Sequence, residues 1–227
     1  DPEQTLEWQE AIRAVSDALG PERAHRLLLQ TINAAKGEGV EIDVVNTPYL
    51  NTIHPSNQPN YPGNLEMEKR LHGVITWNAM MMVTRANKFN DGIGGHISTF
   101  ASNSHLWEVG QNHYYRGKDL DGWGDHVYWQ GHASPGVYAR AWLEGRLTRE
   151  NIDNFRIECE GNGLSSYPHP RLMPKFWEYP SVSMGLGAMT AIHTARFNRY
   201  LNSRGLADTS NSRVWYTMGD GESDEPE

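Results

Sequence analysis

Apolar positions near the start of the chain recur with helical spacing. Trp8, Ala11, Ile12, Val15 and Leu19 share one face of a helix that opens at Pro2-Glu3 and is stopped by Gly20-Pro21. Ala24, Leu27, Leu28, Ile32 and Ala35 repeat the pattern at once, up to Gly37 and Gly39, so residues 2–36 read as a helix pair with acidic first turns. Pro48, Pro55, Pro59 and Pro62 then break all periodicity, which makes residues 47–63 an extended linker. The pattern thus divides the chain into a helical docking arm (1–46), a Pro/Asn-rich linker (47–63) and a body (64–227).

In the body, Leu71, Val74, Ile75, Asn78, Met81, Met82 and Arg85 fall on one stripe of a helix that starts at Asn64 and ends before Asp91-Gly92. Residues 125–130 (DHVYWQ) read as a short strand, and the GHASPG that follows leads into a helix over 137–145. Thr148 caps another short helix. Residues 183–201 form a helix opened by Met184-Gly185-Leu186-Gly187, and residues 213–218 form a strand ending at Gly219-Asp220-Gly221-Glu222. Strand, glycine turn and helix recur, which predicts an α/β fold with a parallel sheet and a ligand site at the carboxyl ends of its strands.

Composition narrows the function classes. With 38% hydrophobic and 21% charged residues among 227, the chain has the makings of a globular core. Lys and Arg number 20 against 28 for Asp and Glu, so no basic surface is expected for nucleic acid or an anionic membrane. No apolar run approaches the ~20 residues that span a bilayer. The single cysteine, Cys159, has no internal disulfide partner, which fits a reducing, cytoplasmic compartment. Its neighbours Glu158 and Glu160 disfavour a thiolate nucleophile.

Three glycine-rich segments carry candidate chemistry. Gly219-Asp220-Gly221-Glu222 lets the backbone approach a ligand and offers a carboxylate for a hard cation, although the same residues also suit a tight turn. GGHIST (94–99) and QGHASPG (130–136) each set a histidine between glycines and hydroxyls, a composition that can donate to an anion or simply form a loop. The remaining eight histidines lack that setting and are assigned structural roles. Residues 161–170 (GNGLSSYPHP) read as an ordered loop with Tyr167 as its contact, or as a stiff surface loop.

Taken in order, GGHIST, YWQGHASPGVYARAWLEGRLT, GNGLSSYPHP, SMGLGAM and GDGESDEPE closely resemble the pyruvate dehydrogenase component of the pyruvate dehydrogenase complex in its homodimeric bacterial form. The similarity takes in YPGNLEMEKR and WNAMMMVTRANK as well. That family belongs to the thiamine diphosphate enzymes of the transketolase type. The resemblance implies a thiamine diphosphate-binding fold, incomplete in this chain, and oxidative decarboxylation of pyruvate with reductive acetylation of a lipoyl group. It implies Asp220 as a Mg2+ ligand, with Gly219, Gly221 and Glu222 along the diphosphate and His96, Gln130 and His132 facing the diphosphate and the active centre. Thr99 stands where the family tends to have a serine. Tyr167 and Met184 would lie near the aminopyrimidine and thiazolium, and His96, His132 and Tyr167 would serve catalysis. Implied partners are a second copy of the chain and the dihydrolipoyl acetyltransferase, reached through the N-terminal arm. The family's further metal-ligating Asn and activating Glu have no counterpart among the 227 residues, so the expectation is an N-terminal fragment that alone neither holds the cofactor tightly nor turns over pyruvate. A transketolase-like ketol transferase and a non-catalytic docking module are the alternatives.

Overall fold

The computed structural model describes residues 1–40, 58–119, 123–160, 162–182 and 184–225; most of the expected linker lies outside them. Its contacts divide into two units, residues 1–59 and 60–227. In the first, α1 (Pro2–Leu19) is capped by Asp1, whose side chain accepts from the Glu3 amide, and has Pro2 at its first position. Gly20, at a φ of 83°, turns the chain into α2 (Pro21–Gly37), which packs on α1. This pair buries little: α1 has no buried residue, Ala24 is the buried apolar residue of α2, and Leu6, Trp8, Leu28 and Leu29 stay exposed.

The second unit is built on α3 (Leu65–Phe89), which Asn64 caps by accepting from the Met67 amide at 3.0 Å. Its buried residues are Ile75, Ala79, Met82, Val83 and Ala86. The sequence had placed Leu71, Val74 and Asn78 on that stripe; Leu71 and Val74 are instead exposed. The inward face is the one with small residues, because Ala79 and Ala86 let α5 (Ser134–Leu143) lie close against it. Around this contact the core gathers Trp107, Tyr138, Phe155, Leu164 and Trp177. Each large side chain fully removed from water contributes about 1.5–3 kcal/mol. The Tyr138 hydroxyl, among the most buried polar groups, donates to the Ser165 carbonyl at 2.7 Å and accepts from the Trp177 indole at 3.2 Å. Burial pushes its phenol well above the usual range.

Between α3 and α5 lies a helix that periodicity did not show, α4 (Ser98–Val109), which runs on into a π-helical turn, Gly110–Tyr114. Against α4, Gly136 of α5 has no room for a side chain, since an added Cβ would stand 2.0 Å from the Phe100 ring. After α5, a capping box at Thr148 opens α6 (Arg149–Asp153), as the sequence predicts.

The sheet has two strands, shorter than expected: β1 (His126–Tyr128) and β2 (Val214–Tyr216), parallel, with His126 opposite Val214 and Tyr128 opposite Tyr216. Asp125 fixes their register. Its buried carboxylate accepts from Arg116 Nη2 at 2.8 Å, the Arg213 amide at 3.1 Å and Trp215 Nε1 at 2.9 Å. α7 (Leu186–Ser203) starts a turn later than predicted and lies on the strands, with Gly187 against the Tyr216 ring and Thr194 bonded to the Tyr128 hydroxyl at 2.6 Å. The unit is therefore mostly helical, around a small parallel sheet.

Candidate functional site

Two of the three glycine-rich segments leave the carboxyl ends of the paired strands. β1 is followed by Trp129, Gln130 and the short 3-10 turn Gly131–Ala133 that carries His132. β2 is followed by Thr217, Met218 and the turn Gly219-Asp220, which leads into Gly221–Asp224. Because the strands run parallel, both loops emerge on one side.

A buried hydrogen-bond chain joins them. Asn103 of α4 donates to Gln130 Oε1 at 2.7 Å, and Gln130 Nε2 donates to Glu222 Oε2 at 2.8 Å. The same carboxylate accepts from the Gly219 amide at 2.8 Å and from the Tyr216 hydroxyl at 2.6 Å. Gln130 and Glu222 thus hold the two loops to each other and to α4. Asp220 differs. Its side chain is exposed, and no hydrogen bond or ion pair with a described residue engages its carboxylate. A Cβ at Gly221 would meet open space, whereas one at Gly219 would press on Gln130 and Glu222. The turn is closed on the Glu222 side and open on the Asp220 side.

The GGHIST segment, which precedes and opens α4, brings His96 to His132, with ring centroids 4.3 Å apart and planes at 53°. Gly95 permits this approach: its φ is 117°, and a Cβ there would stand 3.0 Å from both Phe155 and Val83. Tyr167 meets His132 edge-on at 5.9 Å. Together with Ser134, Arg156 and Ser166 these side chains line a cleft of about 210 Å³, mouth included. Tyr167 also borders a wider apolar hollow of about 880 Å³ against Pro168, Val182 and Leu186. Burial pushes the His132 imidazole below its ordinary value, His96 and Arg156 act the same way, and Glu222 opposes them. His132 is therefore neutral at pH 7, able to accept or donate one proton.

Of the residues singled out by sequence, His96, His132 and Tyr167 meet in the cleft, while Gln130, Gly219 and Glu222 meet in the chain that joins the loops. Thr99 lies in the first turn of α4 and Met184 is exposed; neither lines the cleft. Asn103, Tyr216 and Arg156 were not anticipated. No group of three or more His, Cys, Asp or Glu among the described residues is arranged to hold a metal. The other histidines assigned structural roles include His72, bonded to Glu108 at 3.1 Å, and His113, bonded to Glu68 at 3.0 Å.

Comparison with known proteins finds similarity along the whole chain. A family model described as the pyruvate dehydrogenase E1 component, N-terminal domain, matches residues 1–43, the helix pair that the motifs leave out. Over the whole chain, the proteins named pyruvate dehydrogenase E1 component of Mycolicibacterium smegmatis, Escherichia coli K12 and Pseudomonas aeruginosa are 54%, 52% and 50% identical to it. The chain spans about a quarter of the length of these curated relatives, 25%, 26% and 26% respectively. From its helix pair to its Gly-Asp-Gly turn, this chain is similar throughout to the N-terminal region of bacterial pyruvate dehydrogenase E1 components.

Proposed function

We propose that the chain forms one wall of the active site of a thiamine diphosphate-dependent pyruvate dehydrogenase, which decarboxylates pyruvate and passes the two-carbon unit to a lipoyl group. The observation that carries this is the convergence of the His96–His132 cleft and the Gly219–Glu222 turn at the carboxyl ends of one parallel strand pair.

The residues suit the cofactor. Asp220 presents a free carboxylate for Mg2+ beside open space at Gly221, where diphosphate oxygens can approach the backbone. Glu222 and Gln130 keep that turn in place from behind. When bound, thiamine diphosphate supplies an electron-accepting thiazolium that takes up the electron pair left as carbon dioxide departs. The chain's own groups do the rest. His96 and His132 exchange a proton with the oxo oxygen of the substrate, and the depressed pKa of His132 keeps a neutral imidazole available near pH 7. Tyr167 lines both the cleft and the apolar hollow and would contact the cofactor's rings from between them.

The α1–α2 arm, with Trp8, Leu28 and Leu29 uncovered, is the docking element for the dihydrolipoyl acetyltransferase, and the assembly is a homodimer working in the cytoplasm. No helix among the described residues is long and apolar enough to cross a membrane.

The test is release of labelled carbon dioxide from carboxyl-labelled pyruvate by the polypeptide that carries this chain at the length of its relatives. Release that depends on both thiamine diphosphate and Mg2+, and is lost in Asp220→Ala, is expected. No release, or release without cofactor, overturns the reading.

A further inference from the structure

We propose that Arg156 anchors the carboxylate of the substrate in the His96–His132 cleft, so that the cleft selects small 2-oxo acids over their uncharged analogues. This rests on the reading above for the identity of the substrate.

The backbone supplies the first observation. Arg156 has a φ of 63°, and among the described residues no other non-glycine adopts a positive φ. An L-residue in that region costs about 1–2 kcal/mol, so a neighbouring structure must impose it. Here Phe155, fully buried, pairs with Leu164 in a parallel bridge, and the Arg156 amide donates to the Leu164 carbonyl at 2.9 Å. The strain turns the side chain toward the GGHIST segment. Gly94 makes room for it, since a Cβ there would stand 3.1 Å from Arg156 Nη1.

Charge supplies the second. Arg85, Arg116, Arg140, Arg146 and Arg149 each pair with a carboxylate, whereas Arg156, like Arg70, Arg171 and Arg213, does not among the described residues. No carboxylate among the described residues lines the cleft that Arg156 enters. Arg156 shares the lining of the cleft with His96, His132, Ser134 and Ser166, whose hydroxyl donates to Glu158 at 3.2 Å. A planar guanidinium matches a carboxylate in two parallel bonds. Phe155 and Pro135 give the cleft an apolar side. A carboxylate held on Arg156 would set its adjoining oxo group beside the two imidazoles.

Arg156→Gln and Arg156→Lys in the full-length polypeptide test this. Loss of a charge-assisted contact should raise the pyruvate KM about tenfold to a hundredfold in Arg156→Gln, with kcat within about threefold and a smaller rise in Arg156→Lys. Thiamine diphosphate affinity, read by tryptophan fluorescence, should stay unchanged. Equilibrium dialysis of the cofactor-free protein should retain labelled pyruvate, displaced by unlabelled pyruvate but not by methyl pyruvate, and Arg156→Gln should abolish that retention. An unchanged KM, or cofactor affinity falling as far as substrate affinity, overturns the proposal; the latter would assign the guanidinium to the diphosphate. Should Arg156→Gln fail to fold by circular dichroism, Arg156→Lys and the methyl pyruvate comparison decide. If pyruvate releases no carbon dioxide, the functional reading falls, while dialysis with small carboxylates still upholds or rejects Arg156 as their anchor.

Discussion

Replacing Glu222 with Ala should loosen the candidate site more than any change at an exposed residue of the same turn. The carboxylate is 7% exposed and accepts from Gln130, Tyr216 and the Gly219 amide. Removing it strips three donors at once, but not equally. Tyr216 and Gly219 are half-buried and can turn to water, whereas Gln130, 6% exposed, cannot. Counting the Gln130 bond in full, at about 1.5–3 kcal/mol for a charged acceptor, and the others in part, the cost is about 3 kcal/mol. With a urea slope of about 2 kcal/mol/M, the unfolding midpoint should fall by about 1.5 M. Glu222→Gln keeps the volume but turns a donor toward donors, and should cost about 1–2 kcal/mol. The assay is urea unfolding followed by tryptophan fluorescence, with hydrogen exchange at the Gly219 amide as the local readout. A shift in Glu222→Ala below about 0.5 kcal/mol, with Gly219 still protected, would show that the chain of bonds does not hold the turn.

Three further outcomes follow from the fold. Gly136→Ala forces a methyl to within 2.0 Å of the Phe100 ring and should destabilise by about 1–3 kcal/mol or more, an effect that Phe100→Ala in the same molecule should largely cancel in a double-mutant cycle. Burial alone would raise the Asp125 carboxyl, but hydrogen bonds from Arg116, Trp215 and Arg213 hold it below its ordinary value. Its stabilising contribution is therefore full above the unfolded pKa of about 3.9 and is lost as pH falls through the folded value, so Asp125→Asn should flatten the acid limb of a stability profile. Thr148→Ala removes the half of the capping box in which Thr148 Oγ1 accepts from the Asn151 amide, while the backbone amide at 148 can still donate to Asn151 Oδ1, and should cost about 1 kcal/mol in thermal or urea unfolding.

Helical periodicity and glycine punctuation made much of this legible in advance. The helix pair, α3 and the Thr148 cap stood close to where their residues indicated, and both strands were found, because each ends in a glycine turn. α4 was missed because Ser98–Val109 (STFASNSHLWEV) has no regular apolar stripe and no side-chain cap; it is helical because Phe100 and Trp107 find the core. On α3, Ile75 and Met82 of the expected stripe are buried, but the face is rotated toward Ala79 and Ala86, whose small side chains let α5 approach, so Leu71 and Val74 stay outside. In the site, the histidine loops were visible as local composition. Gln130 and Glu222 are 92 positions apart, so their bond leaves no local trace. Arg156 is set by a tertiary bridge between Phe155 and Leu164, and nothing in NFRIE announces a left-handed residue.

The strand pair carries a consequence for folding. His126 and Val214 are partners across 88 positions of chain, so the pairing cannot form until α5, α6 and α7 have been gathered between them. Closing so long a loop is repaid only when the sheet and its helices dock together, which places β1–β2 contact late and makes it slow relative to the helices. Both loops of the candidate site hang from those strands. Newly made chains should therefore acquire most of their helix before the histidine cleft and the Asp220 turn exist in register, and ligand competence should lag behind circular dichroism during refolding.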